Sequence, residues 1–372
     1  MTRFLHLAPD AVDGDRVAFE AAAAHHLGRV LRAAVGDVVQ AVDHAGALLS
    51  VRLTAIAPGR AVNWDTFWHP ANEHRIALPR FIYLCAIGCT RDFRSGMYFQ
   101  VIVLSLLALV LVCAARALRG RSSPADAFFP LSLLHWGNSE NLMLGMQITI
   151  VVPAALVMTF VLLELCRPRP QSAARAALMG ACLLLLPLNG GFGLMQVPPL
   201  VLFAFLRGWS LLRQPSGGER AAGAVFLGSA LATCLLIYYY FVDFEFPKHT
   251  ERVFDPARIL WTALQFLSMN LGPIGQGKPV LVPLLALVFP ALALVVLARA
   301  WRSQSGQRWQ VGILLAGMAA AATIALAIGV GRGSENDMAG LADRYVILPA
   351  AWYACAYLAL CRFAPRWPGW TA

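Results

Sequence analysis

The chain has 372 residues, of which 59% are hydrophobic and only 13% charged, with a mean hydropathy of +0.63. Soluble domains carry about a quarter of their residues as charges, so this composition excludes an ordinary soluble enzyme. The net charge of +10 would suggest a nucleic-acid partner if it were clustered on a soluble domain. Instead Lys occurs only at Lys248 and Lys278, and most Arg residues sit in short groups between apolar runs, the pattern by which a membrane protein sets its orientation. The eight Cys show no paired CxxC spacing, so neither a zinc site nor a disulfide framework is implied.

Residues 1–60 form a small polar, basic module. Gly36-Asp37 and Asp43-His44-Ala45-Gly46 are turn signals around Val38-Val39-Gln40-Ala41-Val42, and Leu49, Val51, Leu53 and Ala55 alternate with polar residues. This is the pattern of a β-rich unit. Between Glu20 and Ala34 the period is helical, with His25, Arg29 and Arg32 on one face. A basic helix on a small β-barrel suits an RNA backbone, and a solvated basic face suits the same pattern.

Arg3-Phe4, the run His25-His26-Leu27-Gly28-Arg29-Val30-Leu31-Arg32, Val35-Gly36-Asp37 and Asp43-His44-Ala45-Gly46 together resemble the N-terminal PUA-like domain of the RsmE family of 16S rRNA uridine-N3 methyltransferases. The resemblance implies that Arg29 and Arg32 contact rRNA phosphates. It stops near Ala57, and the apolar remainder leaves no place for the family's AdoMet-binding domain. Neither AdoMet nor methyltransferase activity is therefore expected.

Residues 61–96 are expected to form an outer-face loop and an interfacial helix, because the apolar run Ile76–Cys89 is only about fourteen residues long and a span needs about twenty. Residues 97–372 are expected to be a polytopic helical domain. Clear spans fall at 97–115, 142–163, 221–241, 280–298, 309–330 and 345–361, with shorter candidates at 125–137, 176–188 and 192–206. The expected fold is mainly α, a polytopic membrane protein of about nine spans carrying a small N-terminal PUA-like β-barrel. Arg116/Arg119/Arg121, Arg167/Arg169/Arg175, Arg207/Arg213/Arg220, Arg299/Arg302/Arg308 and Arg362/Arg366 all fall on one side of this arrangement, which is then cytoplasmic. The opposite, outer side collects the loops with acids and amides. An inner (cytoplasmic) membrane location follows. Counting back places residues 61–96 outside, the wrong side for an rRNA-binding module, unless Ile76–Phe93 crosses or an upstream helix has been lost. The loss is the favoured account.

The outer side holds the candidates for chemistry: Asp65, Glu73, His74 and Arg75, then Asn138 and Gln147, then Arg332, Arg344 and Tyr345. A solvated surface is the competing reading of each loop charge. Asn72-Glu73-His74-Arg75-Ile76 with Pro79-Arg80, Trp136-Gly137-Asn138 through Gln147, and Gly331-Arg332 with Asp343-Arg344-Tyr345 resemble the signatures of an uncharacterised group of polytopic bacterial membrane proteins. That group is similar to GT-C glycosyltransferases, which take a sugar from a polyprenyl-phosphate donor at the outer face. By this resemblance Asp65 or Glu73 is the base that deprotonates an acceptor hydroxyl. Arg75, Arg332 and Arg344 hold the lipid phosphate through charge-assisted bonds, with His74, Asn138, Gln147 and Tyr345 beside them. Tyr345 also suits an interfacial anchor. No tight carboxylate cluster supports a divalent metal, and no cofactor is expected. The two resemblances meet at one point, as in a gene fusion that joins an RsmE-like start to a transferase body without its first helix. A non-catalytic membrane protein or transporter is the remaining alternative, although the internal repeats of transporters are not evident.

Overall fold

In the computed structural model of the chain, the described residues are 67–69, 74–166, 172–244, 253–272 and 277–365, together with the backbone of five strands near the N-terminus. The chain divides into two units, Met1–Thr66 and Phe67–Ala372.

In the first unit β1 (Leu5–His6), β4 (Val38–Val42) and β5 (Leu48–Arg52) form one sheet, and β2 (Val12–Asp13) pairs with β3 (Arg16–Val17). β4 and β5 are antiparallel, with Val38 opposite Arg52 and Val42 opposite Leu48. The β-branched run of β4 and the alternation of β5 thus pair with each other. No closed barrel is present among the described residues, and the basic helix expected between Glu20 and Ala34 lies outside them.

The second unit is helical. Its elements are α1 (Ala77–Thr90), α2 (Ser95–Arg119), α3 (Phe128–Leu134), α4 (Ser139–Met143), α5 (Ile148–Leu165), α6 (Ala173–Leu185), α7 (Gly191–Leu194), α8 (Val197–Leu212), α9 (Gly217–Phe241), α10 (Pro256–Ser268), α11 (Leu281–Leu285), α12 (Val288–Ser303), α13 (Arg308–Arg332) and α14 (Ala350–Phe363). With the 3-10 turns that extend them, six helices are long and apolar enough to cross a membrane: 95–119, 145–165, 217–241, 281–303, 305–332 and 343–363. Each coincides with one of the clear spans expected from the sequence. The chain is thus mainly helical, with the character of a multi-pass membrane protein.

The candidate at 125–137 is not one helix. A 3-10 turn over 124–127 leads into α3, a second 3-10 turn at 136–138, then α4 and a third at 145–147. This broken path runs antiparallel to α2 for nearly its whole length. At one end Asp126 pairs with Arg119, and at the other Gln100 Nε2 donates to the carbonyls of Leu144 and Gly145, both at 3.0 Å. At 1.5 Å of rise per residue, positions 100 and 119 of a helix are about 28 Å apart, close to the hydrocarbon thickness of about 30 Å.

Contacts link the arginine-rich helix ends to one another. Arg119 and Tyr357 both bond Asp126. Arg362 donates to Gln310 Oε1, and Gln310 to the Leu165 carbonyl. Arg207 Nε lies 3.0 Å from Glu164 Oε1, and the Arg207 guanidinium sits 4.9 Å from the centre of the Trp309 ring. The helix ends carrying Arg119, Arg207, Arg308 and Arg362 therefore form one basic end of the bundle.

The centre is α14, where every residue from Ala350 to Cys361 except Trp352 is buried. Small residues allow this density, as expected where lipid removes the hydrophobic drive between helices. At Gly317 a Cβ would fall 2.6 Å from Cys355 Sγ and 2.8 Å from Val161, so α13 meets α14 and α5 there. Gly208 and Gly223 do the same for α8 and α9. The apolar run Ile76–Cys89 forms a helix of its own. α1 is fourteen residues long, too short to span, and packs by its first turns while Phe81, Leu84, Cys85 and Cys89 are exposed.

Candidate functional site

At the end of the bundle opposite the arginine groups, the short turns converge on a cavity of ≈ 500 Å³. Its walls are mostly apolar: Phe192 and Leu194 of α7, Tyr240 and Phe241 of α9, Phe244, and Ile324 and Ile328 of α13. His74, Arg332, Arg344 and Tyr345 also line it. Four of the side chains singled out from the sequence, up to 271 positions apart in number, thus share one cavity.

Each is held by its local fold. Arg332 is the last residue of α13, where the helix dipole favours a cation, and its guanidinium bonds Glu335 three residues on. Arg344 lies in the 3-10 turn Asp343–Tyr345 that leads toward α14. Its guanidinium carbon is 5.2 Å from the centre of the Tyr345 ring, and no carboxylate among the described residues pairs with it. Tyr345 is 2% exposed, with Phe266 at 5.3 Å and Phe192 at 6.4 Å between ring centres. It is a wall of the cavity rather than a surface anchor. His74 approaches the turn Asn189-Gly190-Gly191 so closely that a Cβ on Gly191 would lie 2.9 Å from its Cε1. Gly190 adopts φ +77, so the turn needs glycine for its backbone and its neighbour needs glycine for room.

Three other candidates act at a remove from the cavity. Asn138 is fully buried, giving its amide to the Leu133 carbonyl and accepting from Asn141 Nδ2, which also donates to the Arg344 carbonyl at 3.1 Å. Asn270 Nδ2 bonds the carbonyls of Ser132 and Val346. These buried amides pin the turn that carries Arg344 to the broken path. Gln147 bonds Glu140 at 3.0 Å and does not line the cavity.

Arg75, assigned by resemblance to a lipid phosphate, has its side chain otherwise engaged. It is 6% exposed, and Nε, Nη1 and Nη2 donate to the carbonyls of Tyr240, Trp68 and Val242 at 3.0, 3.2 and 2.8 Å. The guanidinium also stands 5.3 Å from the Trp68 ring centre. It caps the end of α9, satisfying carbonyls that a helix leaves open. Asp65 and Glu73 lie outside the described residues, as do Arg29 and Arg32. Among the described residues no acid lines the cavity, and no group of three His, Cys, Asp or Glu could hold a metal.

No family model, curated protein or solved structure matches the chain. The site must therefore be interpreted from its own chemistry. An apolar chamber with two guanidinium groups and an imidazole at its polar rim suits an amphiphile with an anionic head. Guanidinium groups bind phosphate oxygens through paired, charge-assisted bonds.

Sequence reasoning missed Asn270 as a clamp and the aromatic wall of Phe192, Tyr240 and Phe241. It also missed the buried pairs Arg119–Asp126 and Glu164–Arg207. For the amides and for Glu164 a signal existed: a polar group inside an apolar stretch, which is expensive in lipid unless it has a purpose.

Proposed function

We propose that the chain is a GT-C-like glycosyltransferase of the inner (cytoplasmic) membrane, crossing it nine times, with its cavity on the outer face taking a polyprenyl-phosphate sugar donor. The nine crossings are the six long helices, the broken path 124–147, and the hairpin of α6 with α7–α8. The observation that carries the reading is the gathering of His74, Arg332, Arg344 and Tyr345 around one largely apolar cavity. The prenyl chain would lie against Phe192, Leu194, Phe241, Ile324 and Ile328, and Arg332 and Arg344 would hold the phosphate.

In the transfer, the acceptor hydroxyl oxygen bonds to the sugar's anomeric carbon as the bond from that carbon to the phosphate oxygen breaks. The hydroxyl proton passes to the base, for which Asp65 and Glu73 are the candidates. The electron pair leaves on the lipid phosphate, whose growing charge the two guanidinium groups stabilise. Nothing in this scheme calls on a cofactor. For residues 1–57 the antiparallel pairing of 38–42 with 48–52 supports the PUA-like reading, in which Arg29 and Arg32 meet rRNA phosphates.

The test is binding of a polyprenyl phosphate to the purified full chain and to the Arg332→Gln and Arg344→Gln variants. A hydrogen bond to a charged group contributes about 1.5–3 kcal/mol, so each variant should bind about tenfold to a hundredfold more weakly. Equal binding by the variants, or equally tight binding of the phosphate-free polyprenol, would overturn the reading.

A further inference from the structure

A second concavity lies at the opposite, basic end. A groove of ≈ 460 Å³ between α12 and α13 is lined by Leu294, Leu297, Ala298 and Leu315, and then by Trp301 and Arg302. Its chemistry changes along the helix axis. The four aliphatic residues form its inner length, and an aromatic and a cation stand at the helix end.

Arg308, across the turn that joins the two helices, brings its guanidinium 5.7 Å from the centre of the Trp301 ring and its Nε 3.4 Å from the Trp301 carbonyl. Arg302 and Arg308 are both exposed, and among the described residues neither forms an ion pair. This sets them apart from the buried cations of the same end, since Arg119 has Asp126 and Arg207 has Glu164. Trp301, 45% exposed, has the amphipathic ring that settles where hydrocarbon gives way to headgroups.

We propose that this groove binds an anionic phospholipid of the cytoplasmic leaflet, its acyl chains along Leu294, Leu297 and Leu315 and its phosphate between Arg302 and Arg308. The groove runs along 281–303, a helix long and apolar enough to cross a bilayer, which would set its apolar length at acyl depth and its cations at headgroup depth. A protein partner or a free anion would match one half of it only. Basic pockets between membrane helices on this side are suited to acidic headgroups. This inference is independent of what the outer-face cavity does.

The experiment uses the full-length chain in bilayer nanodiscs of phosphatidylcholine doped with phosphatidylglycerol, or with a brominated form of either lipid, and follows quenching of tryptophan fluorescence. Trp301→Phe identifies the part of the quenching that comes from this groove. Brominated phosphatidylglycerol should quench Trp301 at lower mole fraction than brominated phosphatidylcholine. The Arg302→Gln/Arg308→Gln protein should lose about thirtyfold of that preference, which is about 2 kcal/mol at about 1.4 kcal/mol per tenfold. Arg116→Gln/Arg213→Gln, which removes as much charge elsewhere at this end, should keep the preference and so controls for net charge and for folding. Equal quenching by the two lipids, equal loss in both double variants, or displacement of the phospholipid by inorganic phosphate would each overturn the proposal.

Discussion

Replacing Asp126 by Asn should destabilise the bundle by about 3–5 kcal/mol. The Asp126 carboxylate takes two parallel bonds from Arg119, at 3.0 and 2.6 Å, one from the Tyr357 hydroxyl at 2.9 Å and one from the Ser123 amide at 3.0 Å. Arg119 has no side-chain exposure. Its other donors go to the Arg121 carbonyl and to Cys361 Sγ. Losing the carboxylate leaves a buried guanidinium without its counter-charge, which costs about 3–5 kcal/mol. Tyr357→Phe removes one bond to a charged group, about 1.5–3 kcal/mol, and keeps the stacking of that ring on Phe128. The paired change Arg119→Met with Asp126→Leu removes both charges, and such replacements range from neutral to stabilising. Equilibrium unfolding in mixed micelles, followed by circular dichroism as the fraction of denaturing detergent rises, gives the three values. If Asp126→Asn cost less than about 1 kcal/mol, or the paired apolar variant cost as much as the single one, the clasp would not be what holds the broken path to α2 and α14.

Other expectations follow from particular contacts. Gly340→Ala would place a methyl 2.3 Å from the Thr262 carbonyl and 2.9 Å from the Phe266 amide. Because backbone must move, unfolding in the same micelles should show a loss of about 1–3 kcal/mol. Asn141→Ala strands the Asn138 side-chain oxygen and loosens the Arg344 turn, a cost of about 1–3 kcal/mol. It should also weaken polyprenyl-phosphate binding without touching the cavity wall, and unchanged affinity would mean that Arg344 is positioned by other contacts. In a cysteine-free background, Met338→Cys on the cavity side should react with a membrane-impermeant maleimide added outside cells, and Gly217→Cys at the basic end should react only after permeabilisation. The reverse pattern would invert the orientation and remove the cavity from the outer face.

The long helices were legible because a run of about twenty apolar residues has one stable form in a bilayer. The basic end was legible for a related reason, since Arg accumulates where it meets water. The path 124–147 was harder. Its apolar stretch over 125–137 matches a span in composition, but breaks at 136–138 and 145–147 come from tertiary partners, Asn141 to Arg344 and Gln100 to Leu144, which no local periodicity reports. The site was half legible. Cations beside the turns expected on the outer side drew attention to Arg332 and Arg344, yet the same logic chose Arg75, whose role depends on carbonyls of α9 some 165 positions away. The aromatic wall was invisible because Phe192 and Phe241 look in sequence like any other lipid-facing residue.

The two clasps on the path 124–147 also bear on how the protein is made. α3 has seven residues and α4 five, too few for either to leave an insertion channel and settle alone in hydrocarbon. Arg119 and Gln100 of α2 hold the two ends of this stretch from upstream, and the Tyr357 hydroxyl, 231 residues downstream of Asp126, and the Arg344 carbonyl, 203 downstream of Asn141, complete it. The packing of this stretch is therefore finished only after nearly the entire chain has been made. Nascent chains stalled before residue 343 should leave 124–147 open to added protease, and chains stalled beyond 365 with a linker long enough to clear the ribosome should not.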